Sequence, residues 1–219
     1  MNHNIRAVLF DLDGTFADTA PDLAAALNHV RATRDLAPLP LKTLRPQASH
    51  GSVGLLKVGM NVTPESPDFA DLRELFLQHY RDNICVHSKL FEGMAELLNH
   101  LDARAIVWGI VTNKPQRFTV PLMQALGYAQ RASCLISGDT CANAKPHPEP
   151  MQQACNTIKI SAENCLYLGD DKRDMQAANA VNMRGIIANY GYVSADCSIA
   201  NWQAFGSVNT PLALLDFLN

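Results

Sequence analysis

Ala7-Val8-Leu9-Phe10-Asp11-Leu12-Asp13-Gly14-Thr15 decides how this chain is read. The four leading residues form an apolar run without alternation, the pattern of a strand buried on both faces of a parallel sheet. Two carboxylates, Asp11 and Asp13, follow one residue apart, and Gly14 then supplies a turn. Acids at the end of a buried strand are costly to desolvate. Their repulsion is relieved by a cation, or by an anionic substrate that arrives with its metal. The spacing suits phosphoryl chemistry on a carboxylate nucleophile.

Working outward, further apolar runs predict buried strands at Ile106–Val111, Cys134–Ile136, Cys165–Leu168 and Gly185–Ala188. Helical periodicity alternates with them. Met94, Leu97, Leu98 and Leu101 repeat at i, i+3, i+4, i+7, as do Met151, Ala154, Cys155 and Ile158. Strands alternating with such helices predict an α/β fold with a Rossmann-like, doubly wound parallel sheet, in which ligands bind beyond the carboxyl ends of the strands.

Residues 17–87 break the alternation. Thr19-Ala20-Pro21-Asp22 reads as a capping box with Pro in the first turn, leading a helix that carries Leu23, Leu27 and Val30 on one face. Phe69, Leu72, Leu75, Phe76 and Tyr80 predict a second helix. Between them Pro38, Pro40, Pro46, Gly51 and Gly54 read as a loop-rich stretch, and strand signals are missing throughout. The expected organisation is a catalytic core of residues 1–16 and 88–219 with an α-helical cap at 17–87. The tail from Ser194 to Asn219 is the least legible part.

At 219 residues, 47% hydrophobic and 18% charged, the chain has the make-up of an ordinary globular protein with a sizeable core. Its net charge of −3 gives no support for nucleic-acid or anionic-membrane partners. No apolar run approaches a membrane span, and Met1-Asn2-His3-Asn4 shows no signal-peptide pattern. Cys85, Cys134, Cys141, Cys155, Cys165 and Cys197 form no CxxC pair. A reduced, cytoplasmic setting is expected, with a small metabolite as partner and a monomeric or homodimeric state. His3, His29, His79, His87, His100 and His147 show no paired metal-ligand spacing, so surface or packing roles are expected for them.

Chemistry-bearing residues recur at the ends of the expected strands or just before a helix. They are Asp11 and Asp13, then Thr112-Asn113-Lys114, then Lys145 in Ala144-Lys145-Pro146-His147-Pro148, and last Gly169-Asp170-Asp171-Lys172-Arg173-Asp174. Taken singly, each has an ordinary reading: an Asp-Gly turn, a strand-end hydroxyl, a loop lysine, a helix N-cap. In this order the chain resembles the phosphatases of the haloacid dehalogenase superfamily that carry a helical cap after the first motif. The resemblance spans essentially the whole chain, and the visible departure is Phe16 where Leu is usual.

That resemblance implies roles. Asp11 is the expected nucleophile, forming an aspartyl-phosphate, and Asp13 the general acid and base. Thr112, Asn113 and Lys145 are expected to bind the phosphoryl group, Thr112 through its hydroxyl and backbone N–H and Lys145 as a flexible cation. Mg²⁺ is the expected cofactor, held by the Asp11 carboxylate, the Asp13 backbone carbonyl and Asp170, with Asp174 supporting from behind; Asp171 is the weaker candidate. Within the cap, Arg45, Ser49, His50 and Lys57 are candidates for reading the rest of the substrate, with Gly51 and Gly54 allowing close backbone approach.

Within the superfamily the resemblance is to the phosphoglycolate-phosphatase-like branch. The stretches Val86-His87-Ser88-Lys89-Leu90-Phe91-Glu92-Gly93-Met94 and Trp108-Gly109-Ile110-Val111-Thr112-Asn113-Lys114-Pro115 resemble its N-acetylmuramic acid 6-phosphate phosphatases, which serve peptidoglycan recycling. A sugar-phosphate mutase would share all the motifs. A dehalogenase is disfavoured, since halide displacement does not require Asp13. A non-catalytic phosphate sensor, accepting a phosphoryl group on Asp11, is the reading from another class; the acid–base pair and the cap argue against it.

Overall fold

The computed structural model describes residues 4–193 and 198–218. His3, Cys197 and the start of the poorly legible tail lie outside them. In chain order come β1 (Ala7–Phe10), β2 (Ala17–Asp18), α1 (Ala20–Ala32), α2 (Leu41–Leu44), a 3₁₀ turn (Arg45–His50), α3 (Gly51–Met60) and α4 (Phe69–Asp82). The chain then continues through β3 (Lys89–Leu90), α5 (Met94–Ala103), β4 (Val107–Val111), α6 (Gln116–Ala125), β5 (Leu135–Ile136) and α7 (Glu149–Ile158). Last come β6 (Cys165–Gly169), α8 (Lys172–Asn179), β7 (Arg184–Ala188) and β8 (Gly206–Val208).

Six strands form one parallel sheet in the order β5-β4-β1-β6-β7-β8. Side chains alternate across it. Val8, Phe10, Trp108, Ile110, Leu166 and Leu168 pack with Met94, Leu97, Leu98 and Leu101 of α5 on one face. Ala7, Leu9, Cys165 and Tyr167 pack with Met151 and Ala154 of α7 and Met175 of α8 on the other. Both faces are covered, which is why the strands read as unbroken apolar runs. Phe16 is fully buried, edge-on to Phe10 at 5.9 Å and stacked on Trp108 at 5.6 Å, so its ring is absorbed into an aromatic cluster.

The switch in strand order falls at β1. Phe10 lies level with Ile110 of β4 and Leu168 of β6, so the residues that follow all three strands leave the sheet side by side. That is the crevice where doubly wound sheets bind ligands.

The helices α1 to α4 have an apolar core of their own, built on Leu23, Leu27, Leu44, Leu55, Leu56, Leu72, Phe76 and Tyr80. Phe118 and Tyr192 from the sheet domain join it. Three expectations for this region need correction. Strand signals are not missing: β2 pairs antiparallel with β3, a two-residue ribbon at the two ends of the insertion. A two-residue strand leaves no periodicity to read.

The stretch expected to be loop-rich contains the helix α3, with Leu55 and Leu56 buried. Its glycines permit close packing rather than breaking the helix: a Cβ on Gly59 would collide with the Leu27 side chain of α1.

The capping box does not form either. Thr19 occupies the N-cap but makes no side-chain capping bond; its hydroxyl donates to the Asp13 carboxylate. The backbone N–H groups of Thr19 and Ala20 donate to the Tyr192 hydroxyl at 2.7 and 2.8 Å. Asp22 accepts instead from the His87 and Ser88 backbone and from the Ser88 hydroxyl at 2.6 Å, fastening α1 to the returning chain.

Candidate active site

Asp11 follows β1, Thr112 follows β4 and Asp170 follows β6, each one residue beyond its strand. Gly14 makes the turn after Asp11 with φ +84, a left-handed conformation that glycine adopts freely. It also permits contact, because a Cβ there would overlap the Asp170 carboxylate. The Thr15 hydroxyl and the Tyr192 backbone N–H then donate to Asp170 at 3.0 and 2.9 Å.

Lys145 is the central cation. Its Nζ donates to Asp11 at 2.9 Å and Asp174 at 2.7 Å, and reaches the Val111 carbonyl and the Tyr167 hydroxyl at 2.9 and 2.7 Å. It was expected to be flexible; with these partners it is fixed. Burial pulls its pKa down, but Asp11 and Asp174 outweigh burial and hold it above the ordinary lysine value. The Asn113 side chain clasps the Lys145 backbone in both directions, at 2.8 and 2.9 Å. Its amide therefore positions Lys145 rather than facing the cavity freely.

Asp11, Asp170 and Asp174 are all buried, and one oxygen of each lies within 4.8 Å of the others. Burial, then Asp11 and Asp174, raise Asp170 well above the carboxylate range. Burial also lifts Asp174, against the pull of Lys145, to about 7. Asp174 reaches back to the Asp171 backbone N–H at 3.0 Å, and Asp171 caps α8, so a true capping box lies here. Asp171 is paired with Arg173 at 2.8 Å, which suits its lesser standing among the acids.

Asp13 faces a second ammonium that sequence reasoning left without a role. Lys114 Nζ donates to Asp13 at 2.9 and 3.2 Å and lies 4.6 Å from the centre of the Tyr80 ring. Burial opposes its charge, yet Asp13 and Tyr80 raise its pKa above the usual value, and burial pushes Tyr80 up to about 12. The signal was present in the sequence: a lysine two residues after the strand-end Thr112 reaches the same crevice. Tyr167 and Tyr192 carried no such signal, and Thr15 stood in the opening stretch without a role.

A cavity of about 260 Å³ opens between the sheet and the cap. Asp11, Asp13, Thr112, Asn113, Lys145, Ser49 and His50 line it, as does Gly51. Thr112 brings only its hydroxyl, because its backbone N–H is committed to the Ile136 carbonyl at 2.9 Å. Arg45 is not on the wall. It forms a bidentate pair with Asp18 at 2.8 and 3.0 Å, with its guanidinium 5.7 Å from the Tyr192 ring centre. Lys57 and Gly54 are not on the wall either. Ser49 has a second contact, donating to Asp170 at 3.1 Å, while its carbonyl accepts from Arg173 at 3.0 Å. Arg73 and Arg117, which sequence reasoning did not single out, also line the cavity.

Such a crevice, with acids after the central strand of a doubly wound sheet and a helical insertion above them, defines a capped α/β enzyme. The chain belongs to the haloacid dehalogenase-like hydrolase family, whose pattern residues 8–188 match. An N-acetylmuramic acid 6-phosphate phosphatase of Pseudomonas putida is 41% identical over 210 residues, covering 96% of this chain and 94% of the relative. A phosphoglycolate phosphatase of Xanthomonas campestris is 41% identical over 206 residues, covering 94% and 93%. A predicted phosphoglycolate phosphatase from Haemophilus somnus shares the fold, with a TM-score of 0.85 at 23% identity over 100% of both chains.

Proposed function

We propose that this hydrolase is a Mg²⁺-dependent phosphomonoesterase that works through an aspartyl-phosphate on Asp11, with N-acetylmuramic acid 6-phosphate as the preferred substrate and 2-phosphoglycolate as the smaller alternative. The observation that carries the reading is the paired arrangement of the acids. Asp11 is held by Lys145 and Asp13 by Lys114, and both open into one cavity.

The donor set fits the cation. Of three buried carboxylates only Asp11 and Asp174 pair with the Lys145 ammonium, which leaves Asp170 without a cation among the described residues, and all the donors are oxygens, the ligands a hard divalent ion prefers. Asp11, Asp170 and the Asp13 backbone carbonyl would hold it, with Asp174 fixing Lys145. When bound, the ion supplies charge neutralisation for the phosphoryl oxygens.

The chain's own groups account for the remaining steps. Asp11 attacks phosphorus in line, and the Thr112 hydroxyl and Lys145 stabilise the charge on the non-bridging oxygens. Asp13 gives a proton to the leaving alkoxide and later takes one from the attacking water. Lys114 and the Thr19 hydroxyl hold the Asp13 carboxylate in place between these steps.

The larger substrate is favoured by the wall. Leu23, Val53, Phe76, Leu77 and Phe118 present an apolar surface that a two-carbon acid would leave mostly bare. The names of the relatives support both substrates. A small phosphorylated metabolite met in the cytoplasm, by a monomer or homodimer, completes the proposal.

Phosphate release from a panel containing both compounds tests it, with and without a chelator. We expect stoichiometric inorganic phosphate that depends on Mg²⁺, with the higher kcat/KM for the amino sugar. An isomerised sugar phosphate without phosphate release would make the protein a mutase. A stable phosphoprotein without turnover would make it a sensor.

A further inference from the structure

The cavity wall carries more positive charge than phosphoryl chemistry uses. Lys145 is matched by Asp11 and Asp174, Lys114 by Asp13, and Arg173 by Asp171. Two further guanidinium groups line the same cavity, Arg73 of α4 and Arg117 of α6, and neither has a carboxylate partner among the described residues. We infer that Arg73 and Arg117 form a second anion subsite, which takes a carboxylate on the non-reacting part of the substrate. The inference rests on the phosphatase reading and adds the residues that choose among phosphate monoesters.

The geometry suits that role. Arg73 is half-buried on the cap helix that also presents Phe76, Leu77 and Tyr80 to the cavity. Its Nε donates to the Ser52 hydroxyl at 3.3 Å, which steers the side chain and directs the remaining fork of donors elsewhere. Arg117 is exposed at the cavity edge, with its guanidinium over the ring of Phe118, a wall residue, 5.0 Å from the ring centre. A guanidinium placed over a ring keeps its N–H edge available, and that edge matches a planar carboxylate in a bidentate pair.

The two arginines are fixed to different bodies, one to the cap and one to the sheet domain. A carboxylate held between them would tie the bodies together while the phosphate end reaches Asp11. A neutral sugar phosphate offers them nothing, so the subsite selects a phosphate monoester that is also a carboxylic acid.

The test reads kcat/KM for matched pairs: N-acetylmuramic acid 6-phosphate against its lactyl carboxamide, and 2-phosphoglycolate against phosphoglycolamide. In the wild type the acid is preferred in at least one pair. In Arg73→Gln and Arg117→Gln that preference falls roughly tenfold or more, the size of one charge-assisted hydrogen bond, and the change appears chiefly in KM. Both members of a pair are measured on one preparation, so partial unfolding cancels from the ratio. A wild type that hydrolyses acid and amide equally overturns the subsite and leaves the phosphatase reading intact. Variants that keep the wild-type preference do the same. A wild type that hydrolyses no phosphate monoester overturns both.

Discussion

Asp11 and Asp13 are separated by one residue yet live in different electrostatic settings, and the two proposed roles divide along that difference. Asp11 shares its surroundings with Asp170, Asp174 and Lys145, whereas Asp13 meets Lys114 and the Thr19 hydroxyl at the cavity wall. Asp11→Asn is expected to abolish turnover and the acid-stable, hydroxylamine-sensitive phosphoenzyme. Undiminished turnover would remove Asp11 as nucleophile. Asp13→Asn keeps the shape but loses proton transfer, so kcat should fall about 10²–10⁴-fold, the usual range for general acid–base catalysis. Full activity would refute that role. Lys114→Met removes the ammonium beside Asp13, and with it the charge over the Tyr80 ring, while keeping an unbranched side chain of similar length. A loss of roughly tenfold to a hundredfold in kcat/KM is expected from one charge-assisted hydrogen bond. An unchanged kcat/KM would leave Lys114 with only a packing function.

Elements were legible where local pattern and burial agree. The strands β1, β4, β6 and β7 were found within a residue of their ends because both faces of the sheet are covered, so every position had to be apolar. The helices α1, α4, α5 and α7 showed their buried stripes. Gly51 and Gly54 hid α3, since glycine reads as a helix breaker, whereas in the helix Gly54 lies against His50 and Gly59 against Leu27. Strand β8 lies in the tail with only three residues of pattern. Of the site, the groups in short motifs were readable, but partners more than a hundred residues apart, such as Thr15 with Asp170, leave no local trace. One helix contact carries a pH dependence. His29 of α1 stacks on His79 of α4 at 4.3 Å; burial and then His29 depress His79, while Asp82 opposes them. A histidine harder to protonate when folded stabilises the fold above the ordinary value of 6.5 and loses that contribution as pH falls through its lowered pKa. Melting temperature should therefore decline on acidification below about 6.5, and His79→Gln should flatten that part of the slope. A slope identical in the variant would exclude His79 as its source.

At the scale of the whole molecule, cap and sheet domain meet through the β2–β3 ribbon, the Asp22 anchor and the Ser49 contacts to Asp170 and Arg173. The site thus lies where the two parts meet, and its charge is held by the fold at a cost in stability. Burial and the neighbouring acids raise Asp170 well above its ordinary pKa, so near neutral pH its ionised form weakens the folded state. A divalent ion bound there would reverse that sign. Magnesium at about 100 times its dissociation constant should stabilise the protein by about 2.7 kcal/mol, raising the melting temperature, and a chelator should remove the gain. Asp170→Asn separates function from stability. Its amide oxygen can still accept from the Tyr192 N–H, and the Thr15 hydroxyl can turn to accept from the amide nitrogen. The variant should lose activity and the magnesium shift, yet melt higher than the wild type in chelator near neutral pH. A variant that retains the magnesium shift would remove Asp170 from the cation site, and one that melts lower without metal would show that its buried charge does not weaken the fold.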